Sequence, residues 1–107
     1  MRFEGKVVWI TGASSGLGWA MAQEFARQGA IVAGSARRQE QLHALVEEIR
    51  SRGGTALAVP CDVTDEAQQI SAVERIVAEF GRLDVAIANA GFSASGRFDE
   101  LGADDWD

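Results

Sequence analysis

The sequence predicts an α/β fold, part of a doubly wound parallel sheet with the element order β-α-β-α-β-α-β and the strand order 3-2-1-4. Three observations predict it. Short apolar runs alternate with longer runs of helical periodicity, and glycine or polar residues stand at nearly every change. Each link between two strands is long enough for a helix, and parallel strands joined by helices form a sheet that is covered on both faces.

The first strand is predicted over residues 6–11, and the first helix begins near Leu17 and ends before Gly29. The apolar side chains of this helix recur on one face, namely those of Leu17, Met21 and Phe25, with Ala22 and Ala26 beside them. The second strand is predicted over residues 31–36.

The second helix has the clearest apolar periodicity in the chain. Its apolar residues fall at i, i+3, i+4 and i+7, and they are Leu42, Leu45, Val46 and Ile49. The glycine pair 53–54 closes this helix, and the third strand follows over residues 56–59, before Pro60.

The third helix is capped by Thr64 or Asp65 and is stopped by Gly81. Its predicted apolar stripe consists of Ile70, Val73, Val77 and Phe80. The fourth strand occupies residues 85–88, and an Asn-Ala-Gly segment at 89–91 breaks it.

Composition indicates one compact domain over residues 1–107, with 47% hydrophobic and 24% charged residues. A net charge of −6 argues against general binding to nucleic acid or to anionic membranes, and no apolar run is long enough to span a bilayer. The single cysteine, Cys61, forms no internal disulfide, and residues 1–10 do not resemble a signal peptide. We therefore expect a cytoplasmic protein, and we identify no metal-ligand set.

The glycine-rich segment from Thr11 to Gly18 joins the first strand to the first helix, and this context favours a phosphate site. Gly12 permits the tight turn, Gly16 lets a pyrophosphate approach, and Gly18 allows close packing of helix on strand. Hydroxyls of Ser14 and Ser15 can donate hydrogen bonds to phosphate or ribose oxygens. The alternative is a purely structural turn.

Two arginines follow the second strand, where an acidic residue would bind the ribose 2′-hydroxyl of NAD(H). Arg37 and Arg38 instead suit a doubly charged 2′-phosphate, because guanidinium groups offer several planar donors. NADP(H) is therefore favoured over NAD(H). The alternative is that both arginines are solvated residues before a helix.

The chain resembles the short-chain dehydrogenase/reductase family over its whole length. Residues 11–18 are similar to the T-G-x-x-x-G-x-G cofactor motif, which includes Leu17, and residues 61–64 resemble the D-V segment after the third strand. Residues 81–85, leading to 89–91, resemble the approach to the N-A-G motif. The resemblance implies a Rossmann-like fold, a dinucleotide cofactor, and hydride transfer between that cofactor and a small alcohol or carbonyl compound.

The resemblance also implies individual roles. Asp62 would bond the adenine amino group, the Val63 backbone would face the adenine ring, and Asn89, Ala90 and Gly91 would line the adenosine ribose. Each has a structural alternative, since Asp62 could begin the cap of the third helix and an Asn-Ala-Gly turn needs no ligand. Cys61 is interpreted as a small buried hydrophobe rather than a nucleophile.

The family's catalytic groups find no counterpart here. They are a tyrosine, a lysine four positions later, a serine and an asparagine, whereas this chain contains no tyrosine and Lys6 is its only lysine. We therefore name no catalytic residue, and we expect an amino-terminal, cofactor-binding part that is inactive by itself and self-associates through its open fourth strand. The alternative function is a non-catalytic nucleotide-binding or oligomerising module.

Overall fold

A computed structural model describes residues 2–13, 16–62 and 64–88. Four strands alternate with three helices over these residues, in the predicted order. The strands are β1 (Val7–Thr11), β2 (Ile31–Ser35), β3 (Thr55–Ala58) and β4 (Val85–Ala88). The helices are α1 (Gly16–Arg27), α2 (Gln39–Ser51) and α3 (Glu66–Phe80). The predicted bounds are confirmed to within one or two residues.

The four strands form one parallel sheet in the order β3-β2-β1-β4, which confirms the predicted topology. In register, Thr11 at the end of β1 lies beside Ser35 of β2 and Ala88 of β4. All four strands therefore end along one side of the sheet, which we call the carboxyl edge. The chain leaves β1 toward β2 and returns from α3 to β4 on the other flank of β1, so a crevice is expected where the strand order reverses.

The helices cover opposite faces of the sheet. One buried cluster joins α1 and α2 to the sheet, and its larger members are Val8, Ile10, Leu42, Leu45 and Ile49. A second, smaller cluster joins α3 to the other face through Val7, Trp9, Ala33, Ala72 and Ile76. Two helices therefore cover one face of the sheet and one helix covers the other, so both faces are covered as the sequence predicts.

The apolar stripe is predicted correctly for α2, and incorrectly for Leu17 of α1 and for Ile70 and Val77 of α3. Leu42, Leu45, Val46 and Ile49 are all buried. In α1, Leu17 is 65% exposed, and the buried positions are Gly18 and Ala22. Small residues fill these positions because they let the helix backbone approach the strands closely.

The stripe of α3 is also displaced from its predicted position. Ala72 and Ile76, one turn apart, are the fully buried residues of this helix, whereas Ile70 is 54% and Val77 41% exposed. Val73 and Phe80 pack against the edge of the cluster as predicted. The apolar arc of α3 is wider than the strip of sheet beneath it, so the outer members remain in solvent.

The opposite side of the sheet, where the strands begin, is held by backbone and carboxylate contacts. The Asp84 carboxylate accepts a hydrogen bond of 2.8 Å from the Val7 backbone N–H and is also bound by the Arg82 guanidinium. A shallow apolar groove on this side lies between Phe3, Met21 and Phe25. Within the part of the chain that the structure describes, no helix is long and apolar enough to cross a membrane.

Candidate functional site

The glycine turn after β1 has the backbone shape that its sequence predicts. Gly12 has a φ of 66° and Gly16 a φ of 53°, in the left-handed region that side chains disfavour. Between them, Ala13 is fully buried, and its N–H donates a 3.1 Å hydrogen bond to the Ser35 carbonyl of β2. The turn is therefore fixed to the sheet through Ala13, while Gly16 is exposed at the start of α1. Ser14 and Ser15 lie outside the described residues.

The amino terminus of α1 differs from those of the other two helices. α2 has Glu40 and α3 has Glu66 in the first turn, whereas α1 has no acidic residue there. The α3 terminus is also capped, because the Asp65 side chain accepts hydrogen bonds from the N–H groups of Ala67 and Gln68. The positive end of the α1 dipole has no carboxylate of its own helix beside it, which leaves this terminus suited to an external anion.

The chain segment after β2 places two cations at the amino terminus of α2. Arg37 and Arg38 are exposed, and Arg38 occupies the position before the helix with an extended backbone and no side-chain cap. Among the described residues neither guanidinium forms an ion pair with a carboxylate. Cations at a helix amino terminus are electrostatically unfavourable, so an anion bound beside Arg37 and Arg38 would stabilise this arrangement.

Asp62 follows β3 and is held by the turn after it. Its Oδ1 accepts hydrogen bonds from the Thr64 N–H at 3.0 Å and the Thr64 hydroxyl at 2.6 Å. These bonds lower the pKa of Asp62, and the positive charge of Arg37 lowers it further. Asp65 is the cap of α3, and Asp62 organises the turn before it, so the structural alternative for Asp62 stands beside its predicted adenine-binding role. Its ionised carboxylate and Arg37 are electrostatic neighbours at the carboxyl edge.

The neighbouring Cys61 has the character that the sequence predicts. It is buried with only 5% exposure. Burial raises the pKa of its thiol, and the negative charges of Asp62 and Asp65 raise it further. A thiol that resists ionisation is a poor nucleophile, which agrees with its interpretation as a small hydrophobe. His43, which lies on α2, is exposed.

Sequence reasoning missed Ser35, the last residue of β2. Its side chain is fully buried and joins two segments, because its Oγ accepts a 2.8 Å hydrogen bond from Trp9 Nε1 and donates a 2.6 Å bond to the Val59 carbonyl. A polar residue inside an apolar strand and a tryptophan on the neighbouring strand were the available signals, since a buried indole N–H needs an acceptor. Their pairing follows only from the strand order.

The described residues of the predicted site come together along the carboxyl edge. The glycine turn with Gly12 and Gly16 follows central strand β1, the two arginines follow β2, and Asp62 follows β3. The remaining predicted positions, Val63, Asn89, Ala90 and Gly91, lie outside the described residues. The arrangement offers backbone donors and cations for phosphate groups, with a carboxylate beyond them for a hydrogen-bond donor such as an amino group.

Comparison with known proteins identifies the same pattern over nearly the whole chain. The family model described as short chain dehydrogenase matches residues 6–107. An uncharacterised oxidoreductase from Thermotoga maritima is 44% identical over 107 residues, which are 100% of this chain and 42% of that protein. D-threitol dehydrogenase from Mycolicibacterium smegmatis is 37% identical over 106 residues, covering 99% of this chain and 41% of that enzyme.

A solved structure gives the same result for the fold. The crystal structure of a short-chain type dehydrogenase/reductase from Mycobacterium marinum superposes with a TM-score of 0.81 at 40% sequence identity. The match covers 84% of this chain and 36% of the solved one. This chain thus spans less than half the length of the relatives that it matches.

Proposed function

Because the chain belongs to the short-chain dehydrogenase/reductase family, we propose that it supplies the cofactor-binding part of an NADP(H)-dependent oxidoreductase. In this proposal the glycine turn and the α1 terminus hold the pyrophosphate, and Asp62 accepts a hydrogen bond from the adenine amino group. A cofactor held by these residues would supply or accept the hydride that interconverts an alcohol and a carbonyl compound. D-threitol dehydrogenase, a relative, is named for an alcohol of this kind.

One observation carries the preference for the 2′-phosphate: Arg37 and Arg38 stand at the amino terminus of α2 without an ion-pair partner among the described residues. The two cations repel each other and the positive end of the α2 dipole, and a dianionic phosphate would relieve that repulsion. No carboxylate stands in this segment to accept hydrogen bonds from a 2′-hydroxyl, since residues 36–38 are Ala-Arg-Arg.

Proton transfer to the substrate needs groups that this sequence does not contain. The resemblance assigns that step to a tyrosine with a nearby lysine, and the chain has no tyrosine. We propose that the chain on its own binds the cofactor without catalysing turnover. Its cytoplasmic location and its self-association through β4 stay predictions.

The test is calorimetric titration of the chain with NADPH and with NADH, for the wild type and for Arg37→Ala. We expect NADPH to bind at least about tenfold more tightly than NADH, and Arg37→Ala to remove most of this difference while leaving NADH unchanged, because one charge-assisted contact to phosphate contributes about 1.5–3 kcal/mol.

The matched control is Arg52→Ala. It removes the same charge from the other end of α2, where Arg52 is exposed on the side of the sheet away from the site. The preference for NADPH over NADH should be unchanged in Arg52→Ala. Equal binding of the two cofactors by the wild type, or an equal loss in both variants, would contradict the assignment of Arg37 to a 2′-phosphate.

A further inference from the structure

Three segments that form the proposed site converge on one residue, Ser35. Its carbonyl accepts the N–H of Ala13 in the glycine turn at 3.1 Å. Its hydroxyl accepts the indole N–H of Trp9 in β1 at 2.8 Å and donates to the Val59 carbonyl, after β3, at 2.6 Å. All of these bonds are close to ideal length for their types.

The position of Ser35 in the chain gives these bonds a consequence for binding. Ser35 precedes Arg37 by two residues, and Val59 precedes Asp62 by three. The Ser35 hydroxyl therefore fixes the spacing between the segment that carries the arginine and the segment that carries the carboxylate. The backbone N–H of Val59 also donates to the Gly34 carbonyl at 2.9 Å. Together with the Ser35 hydroxyl bond, it fixes the separation and angle of β2 and β3 where the backbone hydrogen bonds between these strands end.

We propose that Ser35, held by Trp9, is a positioning residue that fixes the distance between the phosphate-binding and adenine-binding segments of the site. This inference rests on the proposed function and deepens it, because it names the residue that maintains the adenosine end of the site without touching the ligand. Buried groups with complete hydrogen bonding are suited to the role, since a fully satisfied polar contact specifies one arrangement.

Ser35 forms hydrogen bonds through its hydroxyl and through its backbone carbonyl, and two different ligands can test them separately. Ser35→Ala removes both hydroxyl bonds but keeps the carbonyl that holds Ala13 and hence the glycine turn. A ligand that spans the arginines and Asp62 should therefore lose affinity, while one that reaches only the glycine turn should not. Adenosine 2′,5′-bisphosphate is the probe of the first kind, and inorganic pyrophosphate is the probe of the second.

The experiment is calorimetric titration of both probes into the 107-residue chain, below the unfolding transition of every variant. We expect Ser35→Ala to raise the Kd for the bisphosphate about tenfold and the Kd for pyrophosphate less than about twofold, because an unpaired buried group displaces its segment. Trp9→Phe removes one of the two bonds and keeps an aromatic ring, and it should weaken the bisphosphate selectively by about threefold.

The control is Ile76→Val, which shortens a fully buried side chain of α3 and loosens the same face of the sheet without a bond to the site. Ile76→Val should leave the Kd values of both probes within about twofold of the wild-type values. Equal losses for both probes in Ser35→Ala would mean general loosening and would overturn the positioning role. Unchanged bisphosphate binding in Ser35→Ala would overturn the positioning role but not the proposed function. A wild type that fails to bind the bisphosphate would overturn both.

Discussion

Replacement of Gly34 by alanine tests how closely the glycine turn and α2 are packed on β2. A Cβ at this position would lie 3.1 Å from Leu42 Cδ1 and 3.2 Å from Ala13 Cβ. Both neighbours are fully buried, and Ala13 is also held by its hydrogen bond to the Ser35 carbonyl. The new methyl group would therefore be overpacked, and the Leu42 side chain or the turn at Ala13 must shift by a few tenths of an ångström to admit it.

Two opposing terms set the size of the effect. Overpacking in a close-packed core costs about 1–3 kcal/mol. Alanine in a strand interior is favoured over glycine by about 0.5–1 kcal/mol, because a chain with alanine loses less conformational entropy when it folds. We expect Gly34→Ala to lower the free energy of unfolding by about 1 kcal/mol, which lowers Tm by roughly 4–8 °C in a domain of this size.

Urea denaturation followed by circular dichroism measures this, with a double-mutant cycle as the control. Leu42→Val removes the nearer contact and lowers stability on its own, but it makes room for the new methyl group. The double variant Gly34→Ala/Leu42→Val should therefore be less destabilised than the sum of the single variants, by about 0.5–1 kcal/mol. A Gly34→Ala protein as stable as the wild type, or strictly additive variants, would refute the packing argument.

Three further outcomes are expected. Asp65→Ala should lower the free energy of unfolding by about 0.5–2 kcal/mol in urea titrations, because it removes the cap of α3; an effect under about 0.3 kcal/mol would count against the cap. The pKa of Asp84 is lowered by its hydrogen bonds from Arg82 and from the Val7 N–H. Its stabilisation is therefore present above the ordinary pKa of 3.8 and is lost as pH falls through the lowered value in the folded state. Asp84→Asn should flatten that part of the stability profile, and an unaltered profile would contradict the assignment. The thiol of Cys61 should react with a disulfide reagent only slowly at pH 7 and at the normal rate in urea, because it is buried and its pKa is raised; rapid labelling of the native chain would show an exposed thiolate.

The success of sequence reasoning differs among the helices for a physical reason. α2 lies with its whole length against the sheet, so every member of its periodic apolar set is buried. The first turn of α1 contains Leu17, which periodicity assigns to the core and which solvent reaches instead. Helix periodicity fixes which residues share a face, but it does not fix how much of that face the sheet covers. For α3, the covered strip is narrow, and small Ala72 lies at its centre.

The site divides in a similar way. Gly12, Gly16, Arg37 and Asp62 were predictable because each stands where a strand ends, and parallel strands all end at one edge. The residues that hold them in place were not, since the bonds of Thr64 to Asp62 and of Ser35 to Val59 depend on loop geometry and on which strands are adjacent. Local spacing carries information about motifs, whereas supporting contacts arise between segments that are distant in sequence.

The proposed function requires a dinucleotide with a 2′-phosphate to bind along the carboxyl edge of the sheet. The most direct measurement is a ¹H–¹⁵N correlation spectrum of the chain during NADPH titration. We expect saturable shifts of the backbone amides of Gly16, Arg37 and Asp62, whereas those of Gly53 and Asp84, at the other side of the sheet, should be unchanged. Shifts concentrated around the groove at Phe25, or no shifts at saturating NADPH in a folded chain, would contradict it.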